Sequence, residues 1–278
     1  MTTLSYEPGG AQGVDVHVSV VICSIDAKKF ADVTALYSKL LAGEAFEIVG
    51  VHDAKSLAEG YTRGIAQARG EILILSHDDI RILSPNFATT LSAHLAVYDL
   101  IGVAGTSKVV GGSWLDSGDP YLYVLITTPE PMTRRLQTVM LGGDSLNVAN
   151  IQALDGVFLA MRKEVARQVG FDSDTFDGFH LYDLDFSYRA YLAGYRLAVC
   201  RDIVIVHDSV GKYDHRWAEY SRRFKDKFHE RLPSKWRPRD GARAEFFATS
   251  DSEVISRCSA ENLAPVIRQI TNLNSTLA

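Results

Sequence analysis

Three features of the sequence predict an α/β fold: a mainly parallel, doubly wound sheet with helices on both faces, plus a helical C-terminal extension. Short apolar runs alternate with segments of helical spacing over roughly the first hundred residues, a β-α-β-α-β-α-β order that calls for parallel strands. Three successive runs end near an aspartate, at Asp26, Asp53 and Asp79, and open α/β sheets collect their ligand-binding groups at that carboxyl edge. Beyond Lys212 the pattern changes to an aromatic stripe at helical spacing, interleaved with cations.

The elements follow in order. Val16 to Cys23 alternates and then becomes apolar throughout, which predicts the first strand; Ser24-Ile25-Asp26 leaves it. Phe30, Val33, Leu36, Tyr37, Leu40 and Leu41 recur at helical spacing. Phe46 to Val51 is a second strand, ending at His52-Asp53. Ser56-Leu-Ala-Glu59 is a capping box and opens a helix running to Ala68. Glu71-Ile-Leu-Ile-Leu-Ser-His77-Asp78-Asp79-Ile80 is then a buried strand running into a His-Asp-Asp cluster. Ser84-Pro85 supplies an N-cap and a first-turn proline for a helix through Leu95, and Leu100 to Gly105 is a fourth strand.

Residues 106–150 break the alternation with glycines, prolines and two β-prone pieces, Tyr121 to Thr127 and Leu136 to Leu141. They predict a long excursion containing a hairpin. Two short strands flank Asp155-Gly156, and a short helix follows at Lys163 to Val169. Leu184, Ser187, Tyr188, Tyr191 and Leu192 mark another helix, with Gly194 as its C-terminal stop. Leu197 to Cys200 and Ile203 to Val206 are strands, the second ending at His207-Asp208. Trp217, Tyr220, Phe224, Phe228 and Leu232 form the later helical stripe. A final helix covers Leu263 to Leu273, with Pro265 in its first turn.

The 278 residues allow one large domain, or one with a smaller appendage, and a composition of 46% hydrophobic and 23% charged residues is ordinary for a globular protein. A net charge of -5 gives no bias toward nucleic acid. The N-terminal stretch has no basic segment followed by an apolar core, and no run is long enough to span a bilayer. Cys23, Cys200 and Cys258 form neither a disulfide framework nor a zinc pattern. A cytoplasmic, reduced protein is expected. No Gly-x-Gly-x-x-Gly follows the first strand and no Walker-type Gly-Lys-Ser/Thr occurs, so a plain dinucleotide or P-loop site is not expected.

Two carboxylates and an imidazole at the end of a buried strand suit a divalent cation held against a substrate phosphate; alternatively Asp78 and Asp79 only begin a turn. Taken in order, the strand with Ser24-Ile25-Asp26, the strand ending at Asp53, the capped helix containing Gly60-Tyr61-Thr62-Arg63-Gly64, the His-Asp-Asp strand end, Leu154-Asp155-Gly156, Tyr182-Asp183-Leu-Asp185-x-x-x-Arg189 and a strand ending in His207 form one set. This set resembles the family 2 type, GT-A-fold nucleotide-sugar glycosyltransferases. It is most similar to a soluble bacterial branch with His-x-Asp in place of Asp-x-Asp. The resemblance covers roughly residues 16 to 211, and it is the ordered set, not any one triplet, that carries it.

The residue pattern itself predicts a loose lead-in over 1–14 and a helical extension over 212–278; the resemblance implies a nucleotide-binding half over 15–105 and an acceptor and catalytic half over 106–211. It implies that Asp53 contacts the base of the nucleotide and that Ser24, Ile25 and Asp26 line the nucleotide pocket. Asp79 matches the metal-binding aspartate and Asp78 the variable middle of the triplet. His77 replaces the first carboxylate, which leaves the contact made from that position open. His207 matches a histidine that completes the metal site, although the residue alone reads equally well as a buried, satisfied histidine. Asp183 matches the catalytic base. The implied partners are a nucleotide-sugar donor, with a UDP-sugar favoured, and a glycan or lipid-linked acceptor in surface polysaccharide synthesis. The implied cofactor is Mn²⁺ or Mg²⁺.

The chemistry fits these residue types. A departing nucleoside diphosphate gathers charge that a divalent ion neutralises, and a nitrogen ligand such as His207 favours Mn²⁺. Inversion needs one base for the acceptor hydroxyl, and Asp183 at a helix N-terminus is expected to be ionised at neutral pH; it could also be an N-cap alone. Asp185 can pair with Arg189 four residues on, in a structural or acceptor-positioning role. Asp155-Gly156 is expected beside the donor sugar or acceptor, or is simply a tight turn. Trp114 is a sugar-stacking platform or a core anchor. The basic-aromatic helix could meet an anionic membrane, or be a solvated face on a packed or dimerising helix. Without a Gln-x-x-Arg-Trp motif or membrane helices, addition of a single sugar is favoured. Two other readings remain open: a sugar nucleotidyltransferase, and a non-catalytic nucleotide-sugar-binding module.

Overall fold

The computed structural model describes residues 17–133, 135–143, 145–209, 211 and 213–277; the lead-in expected over 1–14 lies outside them. The chain opens with β1 (Val18–Cys23), α1 (Ala27–Leu40), β2 (Phe46–Val51), α2 (Leu57–Gln67), β3 (Ile72–Ser76), β4 (Ile80–Ile82) and α3 (Phe87–Val97). It continues through β5 (Leu100–Gly102), β6 (Ala104–Thr106), a 3-10 turn at Trp114–Ser117, β7 (Leu122–Pro129), β8 (Leu136–Leu141), β9 (Asn147–Ala149), β10 (Ala153–Leu154) and β11 (Phe158–Arg162). The remaining elements are α4 (Lys163–Val169), α5 (Tyr182–Leu192), β12 (Leu197–Cys200), β13 (Ile205–His207), α6 (His215–Lys227), β14 (Arg243–Ala248), α7 (Asp251–Arg257) and α8 (Ala260–Leu277).

One sheet has the order β2-β1-β3-β11-β5-β12-β9. β1 is parallel to β2 and β3, as the alternation predicts, and every residue of β3 is buried. Apolar clusters cover both faces of this sheet, which is why its central strands read as unbroken apolar runs. β11 runs antiparallel between β3 and β5, so the sheet is mixed. A second sheet runs β10-β6-β7-β13-β4, and β8 and β14 extend it from β7.

The caps show why the helices start where they do. The Asp26 carboxylate accepts from the amides of Lys28 and Lys29 and opens α1. Ser56 caps α2 by accepting from Glu59 N, while the Glu59 carboxylate reaches back to the amide of Lys55, one residue further out than a strict capping box requires. Ser84 does not cap α3, which begins at Phe87. Its hydroxyl donates to Asp202 O and accepts from Val204 N, tying the chain to the approach of β13.

Several elements differ from the sequence expectation. The single strand expected over Leu100 to Gly105 divides at Val103 into β5 and β6, one in each sheet. The strand expected over Ile203 to Val206 is shifted to include His207. The extension over 212–278 is not purely helical. β14 pairs with β8 along its whole length and, with α7 and α8, encloses a separate apolar cluster. Pro265 lies in the second turn of α8, because that helix starts at Ala260. The aromatic stripe of α6 packs inward, with Phe224 and Phe228 buried against Phe176 and Tyr188. Arg216, Arg222 and Lys225 are left exposed. No helix among the described residues is long and apolar enough to cross a membrane.

Candidate functional site

The site forms where the two sheets meet. β3 ends at Ser76, and the chain passes through His77-Asp78-Asp79 directly into β4 of the second sheet. β4 pairs antiparallel with β13, which sets Ile80 opposite His207, and Asp208 N donates to Asp79 O at 2.9 Å. This register places residues far apart in sequence side by side. His207 Nε2 lies 3.2 Å from Asp79 Oδ1 and 3.4 Å from His77 Nδ1, and His77 Nδ1 lies 3.9 Å from Asp79 Oδ1. One ligand atom from each of His77, Asp79 and His207 falls within 4.8 Å of the others, the only such group among the described residues.

The electrostatics of the three match this geometry. Burial raises the Asp79 carboxyl, but the hydrogen bond and charge of His207, with help from Ser209 and His77, hold it well below the usual carboxylate range. Burial and the neighbouring His207 push the His77 imidazole down, so it is neutral and free to act as a ligand. Its Nε2 sits 3.2 Å from Tyr182 Oη, leaving Nδ1 facing Asp79 and His207. Lys29 Nζ is 3.6 Å from Asp79 Oδ2 on the exposed side.

Across a cavity of about 280 Å³ lies a second cluster. Asp155 is fixed by Trp114 Nε1, which donates to its Oδ2 at 3.0 Å, and by Val157 N, which donates to its Oδ1 at 2.9 Å. Asp183 Oδ2 accepts from Gly156 N at 2.7 Å. Gly156 has to be glycine: a Cβ there would lie 2.3 Å from Tyr182 Oη and 2.8 Å from Asp183 Cβ. Burial first, and the Asp155 charge second, raise the Asp183 carboxyl to about 7, against the lowering effect of backbone amides that include Leu184 and Gly156. The expectation of a plainly ionised Asp183 is thereby corrected, because desolvation and a like charge outweigh the helix N-terminus. Nor is Asp183 the cap of α5: the N-cap is Leu181, which has φ of 62°.

The cavity is lined by His77, His207, Asp155, Gly156, Asp183 and Trp114, together with Tyr182, Phe179, Tyr213 and Trp217. The last four were not read as site residues. Tyr182 could have been suspected from its place beside Asp183, whereas nothing local marks Phe179 or Tyr213. Asp185, expected as structural or acceptor-positioning, faces away from the cavity. It is fully buried, accepting from Arg189 Nε at 2.8 Å and Lys227 Nζ at 2.6 Å. Ser24, Ile25, Asp26, Asp53 and Asp78 lie outside the cavity. Ser24 is buried and donates to Asp78 Oδ2 at 2.6 Å, which turns Asp78 from the metal-capable group. Ile25 is 90% exposed, Asp26 caps α1, and Asp53 pairs with Arg63 at 2.9 Å.

The mixed α/β fold brings a His-Asp-His group able to hold a metal ion and the Asp155 and Asp183 carboxylates to one cavity. Residues 19–231 match the model of the glycosyltransferase-like family, and the chain belongs to that family. Among solved structures, it is similar to the mannosyltransferase PcManGT from Pyrobaculum calidifontis in complex with GDP-Man and Mn²⁺, at 14% identity over 94% of this chain and 76% of that one, with a TM-score of 0.47. It is also similar to A197 from STIV (10% identity, 72% of this chain, 99% of that one, TM-score 0.37). A third likeness is to GalNAc-T7 with UDP, GalNAc and Mn²⁺ (14% identity, 70% of this chain, 44% of that one, TM-score 0.43). No curated protein matches the chain.

Proposed function

We propose that this protein is an inverting, metal-dependent glycosyltransferase that moves one sugar from a nucleotide-sugar donor to a hydroxyl of a glycan or lipid-linked acceptor. A UDP-sugar is the first donor to test, and surface polysaccharide synthesis at the cytoplasmic side of a membrane is the favoured setting. The observation that carries this reading is the pairing of a metal-capable group with a carboxylate titrating near neutrality on one cavity.

The residues fit a divalent ion. Bonds of roughly 2.1 Å to a six-coordinate ion put neighbouring ligand atoms about 3 Å apart, and His207 Nε2 stands 3.2 Å from Asp79 Oδ1 and 3.4 Å from His77 Nδ1. Two nitrogens and one carboxylate favour Mn²⁺ over Mg²⁺. When bound, the ion neutralises charge on the departing diphosphate. Lys29 adds a cation on the open side of Asp79. Asp183 takes the acceptor proton, and a base titrating near the working pH suits that task. Trp114 holds Asp155, and Gly156 N holds the Asp183 oxygen. Trp217 and Tyr213 form the outer wall against which an acceptor sugar can stack.

Transfer or hydrolysis across UDP-, GDP- and dTDP-sugars with Mn²⁺ tests the reading, with Asp183→Asn as the decisive variant. It should bind donor normally and lose transfer by roughly a thousandfold or more, the scale of a lost general base. Near-wild-type turnover in that variant would remove Asp183 from the role. Failure of every donor to bind would leave neither a glycosyltransferase nor a nucleotidyltransferase. The exposed cations of α6 could meet an anionic membrane or a second copy of the chain; absence of liposome co-sedimentation at low salt ends the membrane reading.

A further inference from the structure

We propose that Lys227 of α6 is a positioning residue for glycosyl transfer, fixing the start of α5, and hence Asp183, to α6. This rests on the reading of Asp183 as the base.

Asp183 and Asp185 sit two positions apart in the first turn of α5, about 200° apart around the helix. One carboxylate faces the cavity and the other faces back. Asp185 is 0% exposed, and each of its oxygens meets a cation: Oδ2 meets Arg189 at 2.8 Å and Oδ1 meets Lys227 at 2.6 Å. Arg189 belongs to α5 itself, and its remaining donors go to Val169 O and Gly170 O at 2.6 and 2.7 Å. Lys227 comes from another element. Its Nζ also lies 2.6 Å from Asp172 Oδ2, and the other Asp172 oxygen accepts from Thr175 N at 2.9 Å. A single ammonium therefore joins the buried back of the catalytic helix to the segment that leads into it.

Two further residues of that segment bond to α6. Arg223 Nη1 donates to Thr175 O at 2.9 Å and to Asp177 Oδ1 at 2.8 Å, and Tyr220 Oη donates to Asp177 at 2.9 Å. The segment ends at Leu181, a left-handed non-glycine residue with φ of 62°. Such a conformation persists only where its surroundings hold it; Leu181 packs in one apolar cluster with Phe224 and Phe228, and Gly178 O, three residues earlier, accepts from Leu57 N of α2 at 3.1 Å. α6 also carries Trp217 on the cavity wall, ten residues before Lys227, about 15 Å along the helix. One helix thus shapes the acceptor side of the cavity and anchors the helix that presents the base. A buried carboxylate with both oxygens committed tolerates little displacement, and a misplacement of about 1 Å at the reacting groups can cost roughly a hundredfold in rate. Lys227 is suited to this role because its ammonium can serve two carboxylates at once.

The test compares Lys227→Met, Lys227→Arg and the double variant Asp185→Asn/Lys227→Met. Lys227→Met should lower kcat by about 10- to 100-fold while donor KM changes by less than about threefold, because the donor side of the cavity is untouched. Lys227→Arg should recover part of kcat. The double variant removes the Asp185 charge together with its Lys227 partner and should keep the low kcat of Lys227→Met whichever way its melting temperature moves, which separates positioning from stability. Recovery of wild-type kcat in the double variant, or unchanged kcat in Lys227→Met, overturns the proposal. An independent readout is the carboxyl carbon-13 resonance of Asp183, assigned by its absence in Asp183→Asn. It should move in Lys227→Met even in a chain that turns over no donor, and a resonance that stays in place overturns the proposal. A wild-type chain inert toward every donor would instead overturn the transferase reading, and the resonance would still report on Lys227.

Discussion

Replacing Asp155 by Asn isolates the electrostatic partnership that sets the character of Asp183. Asp155 faces Asp183 across the Gly156 amide, and its charge is the second cause, after burial, of the rise of that carboxyl from 3.8 to about 7. A charge close to a carboxyl shifts it by about one to three units, and each unit is about 1.4 kcal/mol. Neutralising Asp155 should therefore lower the acidic limb of the kcat-pH profile by about one to two pH units, from near 7. The alkaline plateau should also fall, because a weaker base removes the acceptor proton less well. Stability gives a second sign. The folded state binds the Asp183 proton more tightly than the unfolded chain, so wild-type stability is eroded as pH rises from 3.8 through about 7. At pH 8 the relieved repulsion, on the order of 2–3 kcal/mol, offsets the loss of the Trp114 hydrogen bond to a charged acceptor, worth about 1.5–3 kcal/mol. The melting temperature of the variant relative to wild type should therefore rise between pH 4 and pH 8. The assays are steady-state rates between pH 5 and 9 at saturating donor and thermal melts at the two extremes. An acidic limb that does not move, or that rises, would refute the assignment of that limb to Asp183.

Further outcomes follow from the same geometry. Mn²⁺ at a hundred times its dissociation constant should stabilise the fold by about 2.7 kcal/mol. Asp79→Ala should abolish that shift, and His77→Ala and His207→Ala should each weaken binding at least about tenfold in calorimetric titration; unchanged affinity in His77→Ala would remove it from the group. Because a protonated imidazole cannot ligate, the affinity should fall in acid, and burial with the neighbouring His207 moves the loss of His77 to a pH below its ordinary 6.5. Gly156→Ala forces a Cβ to within 2.3 Å of Tyr182 Oη, and should cost about 1–3 kcal/mol of stability and most of the transfer activity, as read by melting and by rate. A fully active Gly156→Ala would show that the Asp183 oxygen does not depend on that turn.

Much of the fold is local in origin, and those parts were legible. Parallel β1 to β3 and their helices follow from apolar runs and caps written within a few residues of one another. Asp79, His207 and Asp183 stand near a strand end or a helix start, but it was the resemblance to an ordered family pattern that singled out His207 and Asp183. What was not legible depends on distant pairing. Nothing within Phe158–Arg162 says that it inserts antiparallel beside β3, and nothing in Arg243–Ala248 names β8 as its partner. The role of His77 is open in the sequence because it replaces the carboxylate of the family pattern, and its place beside His207 depends on where β13 ends. The protonation of Asp183 could not be read from its helix position, since it arises from burial and from Asp155, 28 residues earlier in the chain. The pairing of Asp185 with Arg189 was legible from their spacing of four, whereas its second partner, Lys227, 42 residues on, was not.

The pairing of β14 with β8 also has a consequence in time. A ribosome releases β8 about a hundred residues before β14, which at roughly 5–20 residues per second leaves its open edge waiting some 5–20 s for a partner. During that interval the sheet carrying His207 presents unpaired backbone groups, the condition under which nascent chains recruit holdases or pair with each other. A gene cut at the end of the family match, after Arg231, would make that waiting state permanent.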